Sequence, residues 1–336
     1  MAEIIYGMGV SHSPHLSTPP EQWDRRAVAD KRNPAHPFRG GTYTFDELVE
    51  LRKGENLAAR CNLDVYRELD AKNQARLKQL ADRFAEAAPD ILVIMGNDQR
   101  EVFQPSHTPG FLVYYGDTVV NKAVTAEAMQ GMSPGIAESI WGTNPETDIT
   151  YPCEPALANH IISTLIREEF DVSASNELPR GDDNPRSIPH AFGFLYRRIL
   201  NDRPIITVPI FTNTFFPPNQ PTAKRVLEFG KAVGRAIKSW DSDLKVAVSA
   251  TGGFSHFVID EELDRRVLDA LANRDDAAII GEPESSFQSG SSEIKNYIAT
   301  AGVLDGTGLK MELLDYIPCY RSEAGTGNAM VFMTWS

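Results

Sequence analysis

The sequence predicts a single α/β domain, a mainly parallel central sheet flanked by helices, and three observations lead there. Short, wholly apolar runs recur along the chain, each closing on polar or glycine-rich residues, as strands buried on both faces do. Stretches of helical periodicity separate them, and strands alternating with helices imply parallel pairing. No linker, repeat or low-complexity segment divides the 336 residues, a length that one α/β unit reaches.

Taken in order, Ile4–Val10 reads as the first strand. Ser17–Leu57 is rich in proline, glycine and charge with little periodicity. One reading makes it an ordered lid over a site, the other a decorated surface loop. Leu63–Ala88 spaces Val65, Leu69, Ala75, Leu77, Leu80 and Phe84 as a helix does and stops at Pro89. Ile91–Met95, Phe111–Tyr115, Pro204–Ile210 and Leu244–Ala250 read as further buried strands. Glu154–Phe170, Ala191–Leu200, Thr222–Trp240 and Glu261–Ala272 read as helices between and after them. Leu309–Ile317 and Asn328–Trp335 read as two closing strands.

Composition narrows the function. Hydrophobic residues make up 42% and charged residues 24%, enough for a large core, and the net charge is −13. Such a surface argues against nucleic acid as a partner, while a locally positive pocket can still take an anionic substrate. Cys61, Cys153 and Cys319 are scattered, with no CxxC spacing, so a reducing compartment is expected. The start of the chain lacks the pattern of a secretory signal, no apolar run reaches membrane-spanning length, and the expected location is the cytoplasm.

The chemistry gathers at predicted strand ends, where parallel sheets bind ligands. His12 follows the first strand in GVSHSPHL, and His256 follows Leu244–Ala250 in ATGGFSHF, where Gly252 and Gly253 allow close backbone approach. Each is a structural histidine or a ligand; two such histidines in one chain favour a shared site. His190, in SIPHAFGF, opens a predicted helix, with Pro189 suited to an early position and Ser187 to capping it. There its ring is expected to stay neutral and to bond a substrate oxygen or merely cap. Glu293, in SGSSEIKNYI, is a first-turn acid that either supports the helix dipole or binds a metal. Asp98 and Gln99 close the second strand, facing the same edge or forming a capped turn.

Together GVSHSPHL, PDILVIMGNDQ, IPHAFGF, NTFFPPNQP, ATGGFSHF and SGSSEIKNYI resemble, in order and over almost the whole chain, the class III extradiol ring-cleavage dioxygenases, the superfamily of the catalytic subunit of protocatechuate 4,5-dioxygenase. The gallate and 3-O-methylgallate branch is the suspected neighbourhood. The resemblance implies a non-haem Fe(II) enzyme cleaving a catechol-type aromatic with O₂ as co-substrate. It makes His12 and Glu293 metal ligands, His256 the acid–base histidine and His190 a substrate contact. The family's second iron-binding histidine follows the Asp of N-D-H, but here the run is Asn97-Asp98-Gln99. Three explanations stand: Gln99 ligates through its amide oxygen, His107 or His36 enters from a loop, or the protein is a non-catalytic subunit. A metal-dependent hydrolase using His12, Asp98, His256 and Glu293 is a further alternative. His12 and Gln99 lie 87 positions apart, a longer interval than the resemblance leads one to expect. An insertion at approximately 17–88 is therefore expected within the one domain 1–336, covering the site in cis, with Arg39, Tyr43 and Phe45 as lid contacts. Phe215 and Phe216 are read as an apolar wall for the substrate. Fold analogy suggests a homo-oligomer.

Overall fold

The computed structural model describes residues 1–179 and 186–336. Its strands are β1 (Glu3–Val10), β2 (His36–Phe38), β3 (Gly41–Tyr43), β4 (Ile91–Gly96), β5 (Phe111–Tyr114), β6 (Thr118–Asn121), β7 (Ile149–Pro152), β8 (Ser173–Ser175), β9 (Ile206–Thr212), β10 (Lys245–Thr251), β11 (His256–Val258), β12 (Met311–Tyr320) and β13 (Thr326–Trp335). The α-helices are α1 (Arg25–Arg32), α2 (Phe45–Leu51), α3 (Leu63–Ala87), α4 (Ala126–Gln130), α5 (Pro155–Arg167), α6 (His190–Phe194), α7 (Ala223–Ser239), α8 (Glu261–Asn273), α9 (Asp276–Gly281) and α10 (Ile294–Val303).

Nine strands form one sheet in the order β11-β13-β1-β10-β4-β9-β5-β8, with β12 added on β13. The four at its centre, β1, β10, β4 and β9, run parallel. β13 pairs antiparallel with β1, β11 and β12, and β5 pairs antiparallel with β9. The sheet is therefore mixed: the parallel pairing read from the apolar runs holds at the centre, and the chain closes each flank by doubling back. All of β4 is buried, because helices lie on both sides. Ile91, Val93 and Met95 enter one core with α5, α7 and α10, while Leu92 and Ile94 enter the other with α3 and α6. This alternation is the two-residue period of a strand feeding two layers.

Two local readings shift. The expected strand at Pro204 begins at Ile206, since a proline nitrogen donates nothing to a ladder. The expected helix over Ala191–Leu200 is α6 followed by a π-helical turn, Leu195–Ile199. The long helix expected from Leu63 forms as α3, started by Asn62, whose side chain accepts from the Val65 N–H, and ended by Ala88 in the left-handed region. It buries Leu77, Leu80 and Phe84 against the sheet, so this part of the expected insertion is a structural layer.

The preceding segment wraps the β11 side. Phe38, Phe45 and Leu48 pack with Val258 and Ala324. Arg52 donates to the backbone oxygens of Ile259 and Gly325. Asp30 accepts two hydrogen bonds from buried Arg321, at 2.6 and 2.9 Å, and one from Thr326. Among the described residues no helix is long and apolar enough to cross a membrane.

Where α7 crosses α10, small residues let the backbones touch. A Cβ on Gly230 would collide with the Ala299 carbonyl, and one on Gly234 with that of Val303. Because these neighbours are backbone, they cannot swing aside. Gly230→Ala is expected to lower the unfolding free energy by about 1–3 kcal/mol, read as a lower urea midpoint at unchanged slope; an unchanged midpoint would show that the helices slide apart freely.

Candidate active site

The parallel strands all deliver their carboxyl ends to one edge, and the chemistry collects there. β1 runs into His12, β4 into Asn97 and Gln99, and β10 into Gly252, Gly253 and His256. Glu293 arrives from the opposite direction, as the last residue of a 3-10 turn leading into α10. His12, His256 and Glu293 are all buried.

Glu293 is the hub. Its Oε1 accepts from Asn97 Nδ2 at 3.0 Å and Gln99 Nε2 at 3.1 Å, and its Oε2 accepts from the Gly253 N–H at 2.7 Å. The same Oε2 lies 3.4 Å from His12 Nε2 and 3.6 Å from His256 Nε2. Burial pushes the carboxyl pKa up, but His12, His256 and the Gly253 N–H outweigh it and hold it well below the usual carboxylate range.

The two rings are oriented from behind. His12 Nδ1 lies 2.9 Å from Thr251 Oγ1, whose own hydrogen goes to the Ala191 carbonyl. The hydroxyl must therefore accept, so Nδ1 carries the proton. His256 Nδ1 lies 2.7 Å from the Phe254 carbonyl, which can only accept. Burial lowers the His256 pKa against the pull of Glu293, so that ring stays neutral. With Nδ1 committed on each ring, both Nε2 atoms turn toward one carboxylate oxygen. A cation or a proton between them would satisfy all three groups, and ring orientation by an outer partner is a habit of metal-binding histidines. As placed, no group of three or more His, Cys, Asp and Glu side chains among the described residues is close enough to hold a metal ion. Gln99, an amide, stands beside Glu293 where the motif leads one to expect a histidine.

His190 joins the cluster edge-on to His12, ring centres 4.9 Å apart. Its partner, Glu101, was missed in the sequence because nothing in its spacing marks it. Glu101 Oε1 accepts from the His190 backbone N–H at 2.9 Å and Oε2 from Nδ1 at 2.8 Å. The expected Ser187 cap is absent: that hydroxyl accepts from the Lys122 N–H, and a distant carboxylate caps α6 instead. The expectation of a neutral His190 is also corrected. Burial alone would lower its pKa, but Glu101 reverses the sign and raises it to about 9.

The remaining candidates lie apart. His36 faces the Asp30 carbonyl at 3.0 Å, and His107 is exposed; no hydrogen bond or ion pair among the described residues joins either to Glu293. Asp98 accepts the backbone N–H groups of Arg100, Glu101, Val102 and Phe103, so its carboxylate closes a turn. Phe216 sits beneath the Arg100 guanidinium at 4.1 Å and beside Phe215. Arg39 is bound to Asp260, and Phe45 is buried among Phe38 and Leu48, with Tyr43 packed on them. Asn97 and Thr251 received no role from the sequence because what they do depends on strand register.

Because the folded pKa of His190 lies above its ordinary value of 6.5, its proton stabilises the fold fully below that value and the contribution is lost as pH rises through about 9. Glu101→Gln is expected to bring the His190 pKa down, read from imidazole carbon-proton shifts in an NMR titration. A midpoint still near 9 would show that another group holds the proton.

The family described as the catalytic LigB subunit of aromatic ring-opening dioxygenase matches residues 64–327. A gallate dioxygenase of Pseudomonas putida is 34% identical over 142 residues, a stretch that covers 39% of this chain and 39% of that relative. The matched stretch thus spans well under half of the relative's length. Both likenesses support a ring-cleavage dioxygenase, and with most of its length inside the family's bounds, the chain belongs to the family of catalytic LigB subunits of aromatic ring-opening dioxygenases.

Proposed function

We propose that the protein is an Fe(II)-dependent extradiol dioxygenase that opens the ring of a catechol-type aromatic with O₂. The observation that carries this is the convergence of two oriented imidazoles on the buried Glu293 carboxylate at the sheet's carboxyl edge, in a chain of this family. His12 and Glu293 would hold the iron, with the Gln99 amide, already bonded to Glu293 through its nitrogen, offering its oxygen as a weaker third donor. The chemistry such an ion supplies is a lowered catechol hydroxyl pKa and a path for electrons from ring to oxygen.

The protein's own groups divide the remaining work. His256, neutral and with a bare Nε2, is placed to take a hydroxyl proton and return it later. His190, charged near neutral pH and clamped by Glu101, donates from Nε2 to an oxygen that gains negative charge during the reaction. The segment before α3 packs over β11, the strand that begins with His256, which supports a cover supplied in cis. Phe216 stacks on Arg100, the residue after Gln99, with Phe215 against it, and the two remain the apolar candidates for the outer wall. Asp98 is spent on four backbone N–H groups, so the hydrolase alternative loses the ligand it needs.

The test is anaerobic reconstitution with Fe(II), followed by O₂ uptake with protocatechuate, gallate, 3-O-methylgallate and catechol, with bound iron measured in parallel. Uptake with a new ring-opened chromophore is the expected result; no iron and no uptake would favour a non-catalytic subunit. His256→Gln is expected to cut turnover by about 10²–10⁴-fold while iron content holds. Loss of iron with it would reassign His256 as a ligand. Gln99→His is expected to tighten iron binding about 10-fold or more, imidazole being a better donor than an amide oxygen; unchanged affinity would remove Gln99 from the metal's surroundings.

A further inference from the structure

One buried carboxylate close to His256 has no place in the chemistry so far. Asp264, on α8, is fully buried, and among the described residues no lysine, arginine or histidine is bonded to it. Three donors stand in for water. The Ser255 N–H reaches Oδ1 at 2.9 Å, while the Ser255 and Tyr316 hydroxyls reach Oδ2 at 2.6 and 2.7 Å. The Ser255 hydroxyl accepts in turn from the Asp260 N–H at 2.8 Å, which ties this loop to the start of α8. Burial pushes the Asp264 carboxyl up to about 7, against the pull of its donors.

The Ser255 N–H matters because of what shares its peptide plane. The other end of that plane is the Phe254 carbonyl, which accepts the Nδ1 proton of His256 at 2.7 Å. A carboxylate on the N–H end of an amide draws electrons toward the carbonyl oxygen, and hydrogen bonds in such a chain strengthen one another. The contacts therefore run from Asp264 through one rigid peptide to the imidazole. The surroundings leave that peptide and ring little freedom. The Ser255 carbonyl takes the Ala329 N–H of β13. The ring lies so close to Gly253 and Gly290 that a Cβ on either would collide with it. Placing the carboxylate one peptide away also keeps a second negative charge off Glu293, which His256 already faces.

We propose that Asp264 is a positioning residue for ring cleavage: through the Phe254–Ser255 peptide it holds His256 in the tautomer and orientation that leave Nε2 free for the substrate's proton. This rests on the ring-cleavage reading for what His256 does, and on the bonded peptide for how the ring is held.

The experiment compares the wild type, Asp264→Asn and Ser255→Ala, all as the full chain. The metal-free proteins are followed by NMR of the Ser255 amide and His256 imidazole N–H signals, well above about pH 7, where the Asp264 carboxyl is ionised. The Fe(II)-loaded proteins are followed by O₂ uptake with gallate. Asp264→Asn is expected to move the Ser255 amide proton upfield, to weaken the His256 Nδ1–H signal, and to cut kcat about 10–100-fold while KM and iron content hold. Ser255→Ala keeps the peptide N–H on the carboxylate and should cost less. Unchanged signals with unchanged kcat overturn the proposal. So does a parallel loss of kcat, KM and iron with the His256 signal intact, which marks a merely structural residue. A Ser255→Ala loss as large as that of Asp264→Asn overturns it too, by placing the effect in the hydroxyl. If Asp264→Asn loses its fold by circular dichroism, Tyr316→Phe takes its place. With one donor fewer on the carboxylate, the Ser255 amide proton should then move downfield, and no movement overturns the proposal. The expected NMR shifts in a chain that takes up no O₂ would sink the ring-cleavage reading and still support the link from Asp264 to His256.

Discussion

The buried Glu293 carboxylate is the interaction on which the rest of the site depends. A charge so far from water survives only if its neighbours replace hydration. Here they come from three strand ends: the amides of Asn97 and Gln99 after β4, the Gly253 N–H and the His256 ring after β10, and the His12 ring after β1. Asn296, on the first turn of α10, ties the arrangement down by donating both to Asn97 and to the Thr251 carbonyl. Three parallel strands and one helix must therefore keep their register for one oxygen pair to stay satisfied. The sheet acts as a jig, and the site is where its tolerances are tightest.

A second carboxylate does similar work for His190. Glu101 binds both the backbone N–H that begins α6 and the ring that α6 carries, so one residue starts the helix and charges the imidazole. Asp98 shapes the turn that brings Glu101 there, since its oxygens gather the N–H groups of Arg100 to Phe103. The short run from Asn97 to Phe103 thus supplies a hub contact, a turn and a clamp in succession. The neutral His256 and the charged His190 lie on either side of His12, two imidazoles set to opposite protonation states by different neighbours.

Strand and helix positions were legible in the sequence because burial on both faces leaves unbroken apolar runs, as at Ile91–Met95, and amphipathic helices leave a 3.6 period, as from Leu63 to Phe84. Pairing direction at the flanks was not, since β13 and β5 are as apolar as the parallel strands beside them. The structure brings His12, His190, His256, Gln99 and Glu293 together; strand-end placement pointed to one edge for His12, His256 and Gln99, whereas His190 and Glu293 arrive from helix starts. What stayed hidden were contacts set by tertiary register: Glu101 on His190 and Thr251 behind His12. His36 and His107 looked equally eligible as free histidines, and only the path of the chain separates them from the site.

The attachment of the segment before α3 bears on how anything enters. It is riveted at Asp30 by the buried Arg321 pair and at Arg52 by two carbonyls of the loops around β11. Pulling apart a buried ion pair costs about 3–5 kcal/mol, so swinging this segment aside would leave only about one molecule in a hundred to one in several thousand open at any instant. If this segment covers the site as proposed, it is a fixed roof, and traffic must pass beneath its eaves. Exchange of small molecules would be governed by the breathing of neighbouring loops, and residence times by those loops more than by the grip of the site itself.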